Sequence, residues 1–509
     1  MLRNRRSAKL ASMRWAWAAR IPSLAAQVLP WGIVLVLLFW NLQWYPRTWF
    51  DEGEFLQVPK NLVLYGRYAM KSAEGFRDFD PNLTTGPAVL LPIAAALWAF
   101  GIGLLQARIV IVVYAVASLV LLYRCARVLV ARRTAYMALA LVVAAPWSEF
   151  LILGRQVLGE VPAFAWLVLG LLLWWRSIDH ECAWWSFGSG IALTLAVLAK
   201  PQAALIWLSL LLVALADRLY YRKLRTMHWL LPLAVSASAC LVWYVVVNPL
   251  GLTGSATGST LLLVSPRRMV ANLNLLGRSG FLVWGIPALA YQGLLTTSMR
   301  RSGLKEFFLL SVVVIWLAWY VCGSVGWTRY AFLPLALTCV FIARLFADAT
   351  NGFSVSWSTV RGDLNQGRLG PASTRLTLML LPLLLVLYGT VSKLDMIATD
   401  GDRTPQAFAE YLENNVGKGY VMETWEWEIA FLTDHSYHHP PFEVLDAMIG
   451  HVQFGRPLPE NLYELERIRP EYLIDGPFSK WTGLYSQYIS AHCIPSASVG
   501  QYDLYACQR

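Results

Sequence analysis

Apolar runs of about 20 residues recur between residues 24 and 394 of this 509-residue chain. A run of that length is typical of a helix that crosses a bilayer, because only a closed, hydrogen-bonded backbone is stable in hydrocarbon. Hydrophobic residues make up 57% of the chain and charged residues 14%, whereas a soluble domain carries about 25% charged residues. The sequence therefore predicts an all-α polytopic membrane protein.

The apolar runs predict about 11 transmembrane helices together with interfacial helices. The predicted spans lie near residues 24–45, 105–123, 134–152, 160–177, 184–199, 202–220, 228–248, 276–296, 305–323, 329–347 and 375–394. The run at 88–103 is short and contains Pro92, so we interpret it as an interfacial or re-entrant helix. The run at 184–199 is compatible with a full span or with a half-helix that breaks at Lys200.

Lysine and arginine gather at the ends of the apolar runs, and this bias predicts the topology. It places the N-terminus in the cytoplasm and the C-terminus outside, in a multi-pass protein of the plasma (inner) membrane. The same bias accounts for the net charge of +11, which therefore does not indicate nucleic acid. The basic N-terminus is followed by no small-residue cleavage site, so it resembles a signal anchor more than a cleaved signal peptide.

The composition becomes that of a soluble domain near residue 395. We divide the chain into a transmembrane domain, residues 1–394, and a small extracytoplasmic α/β domain, residues 395–509, which we call the cap. Within the cap the pattern predicts strands at 420–423, 472–475 and 502–506 and a helix at 403–414. Outside the cytoplasm, Cys493 and Cys507 are able to form a disulfide, and the sequence leaves their pairing open.

The polar stretch 47–87, within a first outside loop of about residues 46–104, interrupts the apolar pattern early in the chain. Its acids are Asp51, Glu52, Glu54, Asp78 and Asp80. A carboxylate deprotonates a hydroxyl or holds a divalent cation, and of these acids Asp51 is the best candidate base, followed by Glu52. The alternative for the first three acids is a solvated helix start. Asp78 and Asp80 fit a sugar contact or a plain turn before Pro81 equally well.

Basic residues lie in three further segments that the topology brings to the same membrane face. They are Arg155, Lys200 and Arg329, with Glu160 beside the first and Tyr330 beside the last. Ionisable groups at a membrane boundary are costly unless they are paired or used, and bases bind phosphate oxygens. The simpler alternatives are that Glu160 caps a span and that Arg329 marks a span end by snorkelling. Acids and bases together beside lipid indicate a lipid phosphate attacked by an activated hydroxyl.

At these residues the chain resembles the GT-C superfamily of glycosyltransferases that use polyprenyl-phosphate sugars. The most similar branch contains the protein O-mannosyltransferases and the aminoarabinose transferase of lipid A. The resemblance extends over most of residues 20–350 and depends on Asp51-Glu52 and on the segments 85–92 (TGPAVLLP), 154–162 (GRQVLGEVP) and 329–334 (RYAFLP).

The resemblance implies transfer of one sugar from undecaprenyl or decaprenyl phosphate to a lipid, glycan or protein acceptor on the extracytoplasmic face. It implies that Asp51 is the base and that Glu160 supports the site. No lysine stands just before Pro87, unlike in the aminoarabinose transferase, so the phosphate contact would fall to Lys200, Arg155 and Arg329. A divalent cation, Mg²⁺ or Mn²⁺, would be held by Asp51, Glu52 and Glu160 if the reaction requires one.

Two other functions remain as alternatives. A lipid-linked glycan polymerase or ligase would depend less on an acid pair in the first loop. A lipid or glycan transporter would carry charges in mid-span and paired half-repeats, whereas most charges here lie at span ends.

Two patterns in the cap also allow interpretation. The stretch 434–439 (DHSYHH) fits a polar surface loop better than a metal site. The acids at 423, 426 and 428 alternate with tryptophans and predict a strand with one polar face.

Overall fold

A computed structural model describes residues 29–78, 85–247, 264–298, 303–366, 370–459 and 462–508. The helices before the cap are α1 (Leu29–Phe39), α2 (Phe50–Tyr65), α3 (Pro87–Phe100), α4 (Leu104–Leu129), α5 (Arg132–Ala144), α6 (Phe150–Leu153), α7 (Glu160–His180), α8 (Ala183–Ala199), α9 (Leu205–Ala216), α10 (Thr226–Val247), α11 (Pro266–Arg278), α12 (Phe281–Ser298), α13 (Gly303–Gly323), α14 (Phe332–Ala349), α15 (Trp357–Asn365) and α16 (Pro371–Thr399). A hairpin of β1 (Ala69–Ser72) and β2 (Gly75–Asp78) follows α2.

α16 continues five residues past the predicted domain boundary at residue 394, and the cap that follows it folds around one small mixed sheet. Its helices are α17 (Thr404–Asn415), α18 (Trp427–Leu432), α19 (Phe442–Phe454), α20 (Leu465–Ile468), α21 (Pro477–Thr482) and α22 (Ser486–His492). Its strands are β3 (Val421–Thr424), β4 (Ser436–His438), β5 (Tyr472–Asp475), β6 (Cys493–Val499) and β7 (Tyr502–Cys507), in the order β4-β3-β5-β7-β6. β3 is parallel to β4 and β5, and β7 is antiparallel to β5 and β6.

Seven helices of the described residues are long and apolar enough to cross a membrane. They are α4, α7, α9 with its flanking turns, α10, α13, α14 with the turn before it, and α16. An eighth span results if α11 and α12, which meet at 94°, are taken as one broken span. The prediction of a polytopic helical membrane protein is confirmed, but the prediction of about 11 spans is not.

The structure has fewer spans than predicted because an apolar run does not show where its helix ends. α1, α3, α8 and α5 are each shorter than a full span, and the first predicted span begins outside the described residues. α8 ends where the half-helix alternative predicted: the Lys200 amide donates to the carbonyl of Ala196, and a 3₁₀ turn at Pro201–Ala204 follows. α3 agrees with an interfacial position, because Trp98 and Phe100 near its end are 79% and 76% exposed.

The predicted strands and helix of the cap lie within one or two residues of β3, β5, β7 and α17. Apolar side chains from both helix and sheet form its small core, among them Phe408, Ile429 and Leu504. Cys493 and Cys507 are opposite each other on β6 and β7 and form a disulfide. The pairing that the sequence left open is therefore present.

Two interpretations of patterns in the cap are wrong. β3 ends at Thr424 and α18 begins at Trp427, so Glu423, Glu426 and Glu428 do not share a polar strand face; all three are fully buried. Burial raises the pKa of Glu423 to about 8, and the hydroxyls of Tyr463 and Tyr485 donate to this carboxyl.

The stretch 434–439 contains β4, and its side chains at 435 and 439 are buried, so it is not a polar surface loop. These residues and the glutamates belong to the interior of the cap.

The cap is fixed to the transmembrane domain through α2, which packs against α18. Lys60 donates to the backbone carbonyls of Phe431 at 2.9 Å and Thr433 at 2.7 Å. These are carbonyls at the end of α18 that have no partner within a helix. Gly53 lies directly against the backbone of Glu428, and a Cβ at this glycine would be 2.1 Å from the Glu428 nitrogen. The position of the cap is thus set by one face of α2.

Gly53→Ala should separate α2 from α18, because a methyl group has no room against the Glu428 backbone. We expect a loss of stability of at least about 1–3 kcal/mol, the range for an overpacked contact. Thermal melting in detergent, followed by tryptophan fluorescence, measures it. The matched control is Gly362→Ala in α15, where a Cβ meets nothing within 4 Å and alanine favours the helix. Equal melting temperatures for the two variants would contradict the packing argument.

Candidate active site

An aromatic-lined cavity of about 300 Å³ lies between the cap and the transmembrane helices. α2 forms one wall, the turns at Pro201–Ala204 and Thr328–Ala331 form the floor, and α19 and α21 of the cap close it. The aromatic lining residues are Trp49, Phe50, Phe55, Trp319, Trp327, Tyr330, Phe442, Phe478 and Trp481, and the polar ones are Asp51, Glu54, Gln202, Arg329 and Asp446. This combination of apolar walls and few polar groups is typical of a ligand site.

Asp51 lies in the first turn of α2, where the helix dipole favours a negative charge. Both of its oxygens are held by Arg329: Nη1 is 2.8 Å from Oδ2 and Nη2 is 3.2 Å from Oδ1. Each side chain is 12% exposed. A bidentate pair of this kind fixes the orientation of both groups as well as their charge.

Glu160 and Lys200 extend this pair into a row of alternating charges. Lys200 Nζ is 2.9 Å from Glu160 Oε1, and Arg329 Nε is 3.7 Å from the same oxygen. The row Asp51–Arg329–Glu160–Lys200 carries two negative and two positive charges and is almost completely buried. We call it the charge row. Because it is neutral as a whole, it avoids the large cost of an isolated buried charge.

Breaks in the helices place these groups. Glu160 begins α7 and Lys200 follows the last residue of α8. The two helix ends approach closely because Gly159 has no side chain. A Cβ at this position would lie 2.4 Å from the carbonyl oxygen of Ala199. The segments around the TGP and GRQVLGE motifs therefore act as a backbone frame for the charge row.

Tyr330 supports both cations of the charge row. Its ring centroid is 5.4 Å from Lys200 Nζ and 5.6 Å from the guanidinium carbon of Arg329, and Arg329 also lies 4.6 Å from the ring of Trp327. Cation–π contacts of this type hold a cation without neutralising it. The structure brings together Asp51, Glu160, Lys200, Arg329 and Tyr330, as the sequence predicts.

Gln202 was not found from the sequence. It lines both the main cavity and a smaller space beside Glu160, Lys200 and Arg329. The side chain is buried, and its Oε1 accepts no hydrogen bond from the described residues. Its position directly after Lys200-Pro201 could have indicated it. A residue in the same helix break as Lys200 is held close to the charge row.

Glu52 does not line the cavity. Arg108 of α4 holds both of its oxygens, at 2.9 Å and 2.6 Å, and the Val157 amide donates to Oε1 at 3.0 Å. Arg108 also donates to the carbonyls of Leu42 and Pro46. Glu52 therefore joins α2 to α4 and the turn before α7, and its ion pair with Arg108 directs both of its oxygens away from the cavity, where the predicted base or cation ligand would be needed.

Arg155 does not reach the cavity either. Its fully buried guanidinium donates to the backbone carbonyls of Leu37, Trp40 and Tyr45 at the end of α1. The Leu37 carbonyl is one that the end of α1 leaves without a partner, and those of Trp40 and Tyr45 lie in the segment that follows the helix. The geometry assigns Arg155 to holding the chain between α1 and α2, in place of the predicted phosphate contact.

Of the remaining predicted residues, the structure describes Asp78 and Glu54. Asp78 ends β2 opposite Ala69, and Asp80 lies outside the described residues. Glu54, one turn after Asp51, does line the cavity.

The residues predicted for a divalent cation do not fit one. Arg329 occupies both oxygens of Asp51, Arg108 occupies those of Glu52, and Lys200 pairs with Glu160. Within the described ranges no group of three or more His, Cys, Asp and Glu is arranged to hold a metal ion. A requirement for Mg²⁺ or Mn²⁺ stays a prediction, and no step below passes through a metal.

The two adjacent acids should respond differently to loss of charge. Glu52→Gln leaves Arg108 buried without its counter-charge, which costs about 3–5 kcal/mol. Asp51→Asn should cost less, because Arg329 retains Glu160 at 3.7 Å. Thermal melting of the two purified variants compares them. If Asp51→Asn is the less stable protein, Glu52 is not the structural acid of the pair.

Comparison with known proteins agrees with this fold. The family described as dolichyl-phosphate-mannose-protein mannosyltransferase matches residues 85–246. ArnT from Cupriavidus metallidurans, in a crystal structure bound to undecaprenyl phosphate, superposes with a TM-score of 0.64 at 13% identity, over 95% of this chain and 98% of that one.

An oligosaccharyltransferase from Archaeoglobus fulgidus, tethered to an acceptor peptide, superposes with a TM-score of 0.57 at 14% identity, over 97% of this chain and 75% of that one. No curated protein matches the chain by sequence. The predicted resemblance to GT-C glycosyltransferases of the mannosyltransferase and ArnT branch is confirmed.

Proposed function

We propose that this protein is a membrane glycosyltransferase of the GT-C type, which moves one sugar from a polyprenyl-phosphate donor to a hydroxyl of an acceptor. The charge row carries this proposal: Asp51 and Arg329 line the floor of the aromatic cavity, and Glu160 and Lys200 lie behind Arg329 beside a smaller space. It places a carboxylate that can accept a proton beside two cations that can bind a phosphate. General-base catalysis requires the base within hydrogen-bond reach of the proton that it accepts, and electrostatic catalysis requires the cations within reach of the oxygen that becomes charged.

In the proposed reaction Asp51 accepts the proton of the acceptor hydroxyl. The hydroxyl oxygen forms a bond to the anomeric carbon from the face opposite the phosphate, and the bond from that carbon to the phosphate oxygen breaks. Its electron pair remains on the polyprenyl phosphate, so the configuration at the anomeric carbon inverts. A positioned general base contributes about 10²–10⁴-fold to such a rate.

Arg329 and Lys200 would stabilise the departing polyprenyl phosphate, and Glu160 would hold both cations in place. In the structure Arg329 occupies both oxygens of Asp51. A donor phosphate that binds Arg329 would compete for the guanidinium and release an oxygen of Asp51 for the acceptor. The base would thus become available only when the donor is bound.

Similar proteins support the donor class. One structure of ArnT contains undecaprenyl phosphate, and one structure of the archaeal oligosaccharyltransferase contains dolichol phosphate. Both ligands are polyprenyl phosphates. The aromatic walls and the nearby membrane surface suit a donor of that kind, with its phosphate at the charge row.

Asp51→Asn should reduce sugar transfer by at least about 100-fold, because the amide does not accept the proton. The assay incubates purified protein with radiolabelled undecaprenyl-phosphate hexoses and pentoses, with membranes as the source of acceptor, and measures undecaprenyl phosphate released. Glu410→Gln, which removes an exposed acid from α17, is the matched control and should leave turnover unchanged. Wild-type turnover by folded Asp51→Asn would remove Asp51 from the mechanism.

We also propose that the cap lies outside the cytoplasm and the N-terminus inside. α4 begins beside the cap and ends near Arg127 and Arg133, and α9 runs from Lys200 toward Arg222 and Arg225. Both groups of arginines therefore lie at the end away from the cap, as the positive-inside bias requires. The disulfide of the cap also favours an oxidising compartment.

Thiol labelling in intact cells tests this orientation. In a variant whose other five cysteines are alanine, a membrane-impermeant maleimide should label Cys493 and Cys507 only after reduction. With Cys493 and Cys507 also replaced, a single cysteine at Arg222→Cys should be labelled only after lysis. Labelling of that cysteine in intact cells, without labelling of the cap, would reverse the topology.

A further inference from the structure

Two segments of the cap are hydrogen-bonded to one buried carboxyl, that of Glu423 on β3. The Tyr463 hydroxyl, between α19 and α20, is 2.9 Å from both carboxyl oxygens. The Tyr485 hydroxyl, between α21 and α22, is 2.7 Å from Oε1. α19 and α21 are the helices that close the aromatic cavity, so each of them is followed in the chain by a tyrosine held at Glu423. We call these three residues the Glu423 latch.

The carboxyl of the Glu423 latch has no counter-charge. Glu423 is fully buried, and no ion pair among the described residues includes it. An unpaired charge is costly in such a place, and a carboxyl avoids the cost by keeping its proton. Burial therefore raises the pKa of Glu423 from its ordinary value of 4.5 to about 8, although both tyrosine hydroxyls favour the charged form. The neutral acid can donate its proton to one tyrosine oxygen and accept a hydrogen bond from the other hydroxyl.

The groups that surround the Glu423 latch do not neutralise it. The charged or titratable ones are Glu74 and Arg77 of the β1–β2 hairpin, His438 of β4, Glu426 after β3 and Tyr488 of α22. Arg77 lowers the pKa of Glu423 by less than burial raises it, and its guanidinium donates to the carbonyl of His439. His438 is opposite Glu423 in the register of β3 and β4, but its ring is paired with Glu74.

The Glu423 latch belongs to one face of the cap sheet. Successive side chains of a strand point to opposite faces. Met422 packs into the small core with Phe408 and Leu412 of α17, so Glu423 points to the other face, where Tyr463 and Tyr485 reach it. Breaking the latch would therefore loosen the side of the cap that covers the cavity and leave the side that carries α17 in place.

We propose that the Glu423 latch is a proton-dependent closure of the cavity, in which the closed cap keeps one proton on Glu423 and opening releases that proton to water. In the open cap both tyrosines have left the carboxyl, and α19 and α21 no longer cover the cavity. Rising pH therefore favours the open cap. The inference concerns access to the cavity and adds a control on entry to the proposed sugar transfer.

The two pKa values of Glu423 set the pH range of the latch. In the open cap the carboxyl has its ordinary pKa of 4.5, and in the closed cap a pKa of about 8. The full stability of the latch is present below the lower value. It is lost as the pH rises, with the ratio of open to closed cap increasing by up to about tenfold per pH unit, and it is constant again above the higher value.

Amide hydrogen exchange of the full-length protein in detergent tests the latch without sugar transfer, so its failure and that of the proposed function are separate outcomes. Exchange rates are corrected for their intrinsic dependence on pH. Between pH 5.5 and 7.5 we expect the protection of α19 and α21 to fall at least about tenfold, and that of α17 to change by less than about threefold. No fall in α19 and α21, or an equal fall in all three helices, would overturn the inference.

Two variants show whether Glu423 is the titrating group. Glu423→Gln keeps the shape and the hydrogen-bonding capacity but does not ionise, so α19 and α21 should have equal protection at the two pH values. Glu464→Gln removes an exposed acid beside Tyr463 and should keep the fall of the wild type. A fall of wild-type size in Glu423→Gln would overturn the inference.

Tyr485→Phe tests the latch while the acid remains. It removes a hydroxyl that favours the charged form of Glu423, so the pKa of the closed cap should rise further. The loss of protection in α19 and α21 should then continue to a higher pH than in the wild type, measured by exchange at pH 7.5 to 9. A loss that ends at the same pH in both proteins would contradict the role of Tyr485 at Glu423.

Discussion

The buried pair of Glu52 and Arg108 determines where α2 lies, and the arrangement of the site depends on α2. Arg108 joins this helix to α4 and to the carbonyls after α1. On another face, Lys60 and Gly53 hold the cap. A helix turns by 100° per residue, so Asp51, the residue before Glu52, points to a third face and enters the cavity. One short helix thus directs Glu52 to a structural contact and Asp51 to the cavity.

A neutral row of buried charges would also suit the lipid phosphate of the proposed reaction. An empty site with two uncompensated cations would be costly beside a membrane. Asp51 and Glu160 offset that cost while no substrate is present, and they remain in contact with the cations that a phosphate would approach. In the proposed reaction the acids would therefore help to form the phosphate site even before the proton transfer to Asp51. Arg329 is the shared member, because it contacts both carboxylates.

The sequence was sufficient to predict the residues of the charge row. Each of them lies at the end of an apolar run, and the order of the runs places all four on the same face of the membrane. It was not sufficient to separate Asp51 from Glu52, since that difference depends on side-chain direction around α2. Arg155 appeared equivalent to Lys200, although its guanidinium is taken up by backbone carbonyls. Arg108 lies within an apolar run, and the hydropathy of that run does not show that its one cation is buried. The bend of 94° between α11 and α12 is likewise not predicted by the hydropathy of the sequence.

The ammonium of Lys60 ends α18, a helix that belongs to another part of the chain. The transmembrane domain therefore completes a secondary-structure element of the cap. Exchange of caps between related proteins would be restricted to donors whose corresponding turn presents the same set of backbone oxygens. A chain shortened at residue 400 would lose every carbonyl that accepts a hydrogen bond from Lys60 and would expose this face of α2 to water. The face of α2 that carries Gly53 and Lys60 therefore belongs to the interior of the cap as much as to the transmembrane domain.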